Sequence, residues 1–180
     1  MDAAEAEFIA EKEIITIIPN FKGSKLFLLS CDIGPFKPGI PTNVPVWVAM
    51  NLKQRQKCRL SPPDWLSVER LSEFKDEESV SDVFIKPPCS CYMELASMLL
   101  GSCSDDIPQA DTVKTLIKDV WDIRTAKLRK SIDQMISKQE RHAQIDNLTI
   151  MEINTIRSIL TNALDHMHNL RCYVAQLPDT

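Results

Sequence analysis

Few residues in this 180-residue chain have the types and spacing needed for chemistry. Cys89 and Cys91 are the one close thiol pair, and a single residue separates them. A structural zinc half-site usually leaves about two to four. Cys31, Cys58, Cys103 and Cys172 follow no finger or ribbon spacing. A thiol nucleophile needs a histidine brought close, and no cysteine here has a local signature of that kind. Of the histidines (His142, His166, His168), the last two point roughly 200° apart on a helix and cannot share a metal. Gly34 and Gly39 are flanked by prolines, which remove the amides a phosphate loop uses. Asp105 and Asp106 read as helix-start charges favoured by the dipole. The reading expects no catalytic, cofactor-binding or metal-binding residues, and no enzyme.

Two basic stretches could meet phosphates. Lys53, Arg55, Lys57 and Arg59 alternate, so on a helix they divide between opposite sides. Lys127, Arg129 and Lys130 lie among Asp119, Asp122 and Asp133. With a net charge of -4, coating nucleic acid is not the main task. A solvated or salt-bridged surface is the default for such charges. A secondary DNA contact through Lys53, Arg55, Lys57 and Arg59 stays open. So does an alternative function, a single-stranded nucleic-acid-binding adaptor acting through that segment.

The elements that would position these groups follow from composition. Hydrophobic residues make up 44% and charged residues 26%, the balance of a soluble globular chain. At this length roughly 70% of the unfolded surface can be buried. No apolar run approaches the ~20 residues of a membrane span. The acidic start (Asp2, Glu5, Glu7, Glu11, Glu13) lacks the basic and apolar parts of a secretory signal, so the thiols are expected to stay reduced. Three of the four glycines and five of the eleven prolines fall in the first quarter, and neither type occurs between Pro108 and Pro178. Turns therefore crowd the start, and long helices are free to run later.

The first region, residues 1–61, reads as a small β-rich domain. It has a helix at Ala3–Lys12 and a buried strand at Ile14–Ile18. A second strand over Lys25–Ser30 pairs back on the first, and Asp32–Gly39 forms a rigid loop. A third strand covers Val44–Ala49, followed by a polar helix from Met50 to Cys58. Residues 62–180 read as an α-helical domain. Ser61-Pro62-Pro63-Asp64 has the form of a helix start for Trp65–Lys75. A linker-like stretch covers 76–90, and a short helix spans Tyr92–Leu100. The long helices cover about 110–139 and 150–175, and Thr149-Ile150-Met151-Glu152 forms a capping box on the second. The fold class is α+β.

The long helix carries an apolar stripe to Ile136 that must be covered. Either the last helix folds back antiparallel over it, or part of both stripes packs on another chain. The weak β unit favours the second, an assembly subunit. The residues expected at such an interface are Leu116, Val120, Trp121, Leu128, Ile156, Leu160 and Met167, although periodicity alone cannot separate interface from core.

Longer segments carry a resemblance. Ile18-Pro19-Asn20-Phe21, Gly34-Pro35-Phe36 through Pro38-Gly39, and Val44-Pro45 to Trp47 are followed in order by Asn51 to Leu60, Pro62-Pro63 and Trp65. Farther on come Ile107-Pro108, Asp119 to Asp122, Ala126 to Arg129, Asp146 to Thr149 and Met151 to Asn154. These resemble the GINS family of eukaryotic DNA replication proteins, in its β-domain-first type, over about residues 1–175. The resemblance implies a small β-rich domain before a larger helical one. It also implies a non-catalytic scaffold in the nucleus, one of four subunits in a heterotetramer. That assembly joins the MCM motor ring and a RecJ-like accessory protein into the replicative DNA helicase. No catalytic residues, cofactor or membrane are implied, and Lys53, Arg55, Lys57 and Arg59 stay open as a contact to that helicase as well as to DNA.

Overall fold

The computed structural model describes residues 3–29, 31–138 and 146–176. The chain opens with α1 (Ala3–Ala10) and β1 (Ile14–Pro19). The run Ile14 to Ile18 is β-branched throughout and buries alternate side chains, Ile15 and Ile17, as a strand with one face on a core requires. β1 is the centre of an antiparallel sheet, flanked by β4 (Thr42–Pro45) and β5 (Cys58–Ser61). Register sets Ile15 opposite Val44 and Ile17 opposite Leu60, so the core-facing side is apolar across all three strands.

This corrects the expected hairpin. The Lys25–Ser30 segment does not pair with β1, whose edges are taken by the strands that bring Val44 and Leu60. Instead β2 (Leu26–Phe27) and β3 (Asp32–Ile33) form a separate two-stranded ribbon. A bridge between Gly23 and Phe36 closes its base. Gly34 has φ +94, and a Cβ there would lie 3.2 Å from the Phe36 nitrogen, so glycine is required.

The expected third strand is also shorter. It turns into α2 (Val46–Gln54) at Val46, whose N–H donates to the Glu13 carbonyl at 2.9 Å. The polar helix stops at Gln54 because Gln56 adopts a left-handed turn, φ 55, that swings the chain into β5.

After a 3-10 turn at Asp64–Leu66 come α3 (Val68–Val80), α4 (Tyr92–Ser102), α5 (Ala110–Lys138) and α6 (Ile150–Gln176). Ser67 caps α3, its hydroxyl accepting from the Arg70 N–H at 3.4 Å. Ser61 is spent in the sheet opposite Thr16. α3 continues to Val80, through residues read as linker. The capping box stands as read. The Thr149 N–H donates to the Glu152 carboxylate at 2.7 Å, and the Glu152 N–H donates to the Thr149 hydroxyl at 3.3 Å.

The fold is α+β, a small β-rich unit followed by a larger helical one. One core unites them, running from Ile17, Val44 and Leu60 to Leu71, Leu95, Leu99, Val113 and Ile117. A three-stranded sheet this short cannot bury both faces alone, and the helical unit supplies the cover. Among the described residues, no helix is long and apolar enough to cross a membrane.

Candidate functional site

α5 and α6 meet around a buried cation. Arg124 is sealed from solvent, and all five of its N–H donors are occupied. Nε and one Nη bind the Glu152 carboxylate at 2.5 and 3.0 Å, and Glu78 accepts at 3.0 Å. The remaining two donors reach the Ile85 and Asn147 carbonyls at 3.0 and 2.7 Å. Lys127 donates to the second oxygen of Glu78 at 2.8 Å, so two cations balance two carboxylates. Burial opposes the Arg124 charge, but the hydrogen bond and field of Glu152, with the field of Glu78, outweigh it and hold its pKa above the ordinary value.

This node ties α3, α5 and the start of α6 together. Sequence reasoning missed it, although a signal was present. Arg124 stands four residues from both Val120 and Leu128, inside the apolar stripe, where a charge must be paired.

Beside the node lies a second, smaller apolar cluster of Phe84, Leu128 and Ile156, with Ile132, Leu148 and Leu160 packed on it. It fills the junction incompletely. An apolar cleft of ≈ 150 Å³ remains open, its lining including Trp121, Leu128, Arg129, Ile132, Glu152 and Ile156.

The expected interface residues fall into several environments. Val120 is wholly buried in the main core, so its side chain is spent on the chain's own fold. Leu128 and Ile156 are buried against each other, which makes them structural as well as cleft-lining. Leu116 is half-buried against the main core and Leu160 against the smaller cluster. Trp121 is half-exposed in the cleft wall. The Met167 side chain lies outside the described residues.

The basic segment is not one helical surface. Lys53 ends α2, Arg55 and Lys57 lie in the turn, and Arg59 is in β5. The Lys53 ammonium donates to Asp106 at 2.6 Å, the Leu60 N–H donates to the same oxygen at 2.8 Å, and Arg59 stands 3.9 Å away. The Asp106 hydrogen bond, opposed by partial burial and helped by the carboxylate's field, holds the Lys53 pKa above its usual range. Lys53 and Asp106 therefore clamp the sheet unit to the helical unit, while Arg55, Lys57 and Arg59 are exposed.

Burial pushes the Cys58 thiol up to about 11 and raises Cys91 and Cys103, the reverse of an activated nucleophile. Cys89 is half-buried and His166 exposed. His142 lies outside the described residues, as do the His168 and Cys172 side chains. Among the described residues no group of acids, thiols and histidines could hold a metal. Glu94 is buried with neither oxygen hydrogen-bonded, as is the Tyr92 hydroxyl. Burial raises the Glu94 pKa, only partly offset by its own backbone, and the fields of Glu152 and Glu7 raise it further.

A small β-rich unit ahead of a larger helical one is also the order of the two GINS-type domains that this chain matches. Residues 2–61 match the family described as PSF2 N-terminal domain, and residues 65–171 match the GINS complex protein helical bundle domain. The human DNA replication complex GINS protein PSF2 is 54% identical over 180 residues, 100% of this chain and 97% of its own length. The Xenopus laevis protein of that name is 53% identical over 171 residues, 95% and 92% of the two chains. A probable Drosophila melanogaster counterpart is 45% identical over 167 residues, 93% and 82%. The chain belongs to the PSF2 family, the second subunit type within GINS, which the ordered segments from Ile18 to Asn154 resemble.

Proposed function

We propose that this chain is a non-enzymatic structural subunit of a GINS heterotetramer acting in the nucleus. With three sister subunits it joins the MCM motor ring and a RecJ-like accessory protein into the replicative DNA helicase. ATP hydrolysis belongs to the motor ring. Its two units, residues 1–61 and 62–180, divide the work. The helical unit packs against sister chains, and the β unit docks on a neighbour.

The observation that carries this reading is the α5–α6 cleft, with Trp121 and Ile132 partly exposed around it. Exposed Ile153 and Leu164 extend the uncovered surface along α6. A companion helix seated there would bury apolar area at about 25 cal/mol per Å2. The adaptor reading through Lys53–Arg59 has less support, because Lys53 is bound to Asp106.

Leu128→Asp would break the chain's own smaller cluster and Ile132 packs on that cluster, so the test uses Trp121→Asp in the cleft wall. Recovery of sister subunits on co-purification should fall by about tenfold or more, as for a central anchor, while the variant chain stays folded. Recovery at the level of the unaltered chain would show that the cleft is not an interface.

A further inference from the structure

We propose that the β2–β3 ribbon is a docking surface for an acidic, apolar protein segment. The ribbon stands apart from the three-stranded sheet. β2 holds only Leu26 and Phe27, with Lys25 just before it and Leu29 in the bend that follows. The Lys25 ammonium lies 5.2 Å from the centre of the Phe27 ring, which places the two side chains together. Phe27 is 76% exposed and Leu29 fully exposed, with Leu26 and Ile40 also open. Apolar side chains gathered on a small, isolated ribbon mark an interaction surface.

Charge identifies the occupant. Lys22, Lys25 and Lys37 are all exposed on the segment that builds the ribbon. Its one acid, Asp32, is bonded to Lys25 at 2.9 Å. The ribbon is thus a basic island on a chain of net charge -4, and the complement to lysines around apolar anchors is an acidic segment with apolar residues. A segment laid across the ribbon would set its apolar side chains on Phe27 and Leu29 and its carboxylates near the lysines. Phe27 is the ribbon's one exposed ring, and Leu26 and Leu29 beside it offer no second ring for successive bases to stack on, so a protein segment fits better than a nucleic-acid strand. The inference rests on the assembly reading only in that the surface given to sister chains there is the α5–α6 cleft, whose lining includes no ribbon residue.

The test uses the co-expressed assembly and two labelled short peptides. They share the same leucines and phenylalanines but carry either acidic or basic residues between them. Fluorescence anisotropy should show the acidic peptide binding at least about tenfold more tightly, a difference of ~1.4 kcal/mol. Lys25→Glu with Lys37→Glu should reverse that preference. Phe27→Ser with Leu29→Ser should abolish binding without moving the elution volume or melting temperature of the assembly. Equal binding, no binding by either peptide, insensitivity to these substitutions, or displacement by a single-stranded oligonucleotide would each overturn the proposal. If no assembly forms, the scaffold reading fails, and the same titration on the chain alone still judges the ribbon.

Discussion

At the residue scale, the buried charges matter most. Arg124 can be sealed from water only because every donor is taken and two carboxylates face it. Removing the cation would leave Glu78 and Glu152 buried without their main partner. Arg124→Met is therefore expected to lower stability by ~3–5 kcal/mol, read from a denaturant titration. A loss below ~1 kcal/mol would mean that water reaches the node. Glu94 has the opposite problem, a buried carboxyl with no hydrogen-bond partner. Its folded pKa is raised, so the native state holds the proton over a pH range in which the unfolded chain releases it. Stability tied to Glu94 is complete below its unfolded pKa and is lost as pH rises through the folded one. Glu94→Gln should melt higher than the unaltered chain at pH 8, with the gap closing towards pH 4. A gap independent of pH would contradict this.

At the element scale, two junctions set the architecture. Asp106 joins α2 and β5 to the segment before α5 by accepting from Lys53 and the Leu60 N–H. Asp106→Asn should speed hydrogen exchange at the Leu60 amide and cost about 1.5–3 kcal/mol, the range for a hydrogen bond to a charged group. Unchanged exchange would show that the sheet is held by its core alone. Thr149→Ala removes the α6 cap and should cost ~1 kcal/mol, measured by thermal unfolding.

These elements also show what the sequence could reveal. The capping box, the β-branched Ile14–Ile18 strand and the long α5 were legible because each is a local pattern. The pairing of β1 with β4 and β5 depends on contacts distant in sequence, so adjacency wrongly suggested a hairpin with Lys25–Ser30. Residues 76–80 looked like linker because their acids lack local partners. The cations that meet Glu78, Arg124 and Lys127, lie more than forty residues away. The candidate interface was legible only as a stripe. Val120 and Trp121 are adjacent in sequence, yet one is buried in the core and the other lies at the cleft.

At the scale of the whole molecule, the fold is complete in its main core and incomplete at the α5–α6 cleft. Trp121, Ile132, Ile153 and Leu164 keep apolar surface in water where a companion helix could cover it. On the proposed reading, the other GINS subunits cover that surface. Gel filtration of the chain alone against the chain co-expressed with the other GINS subunits tests the claim most directly. The account predicts that the lone chain self-associates or precipitates. Co-expression should yield a single soluble species whose size matches one copy of each subunit. A soluble, monodisperse monomer that elutes unchanged in the presence of its sisters would contradict it.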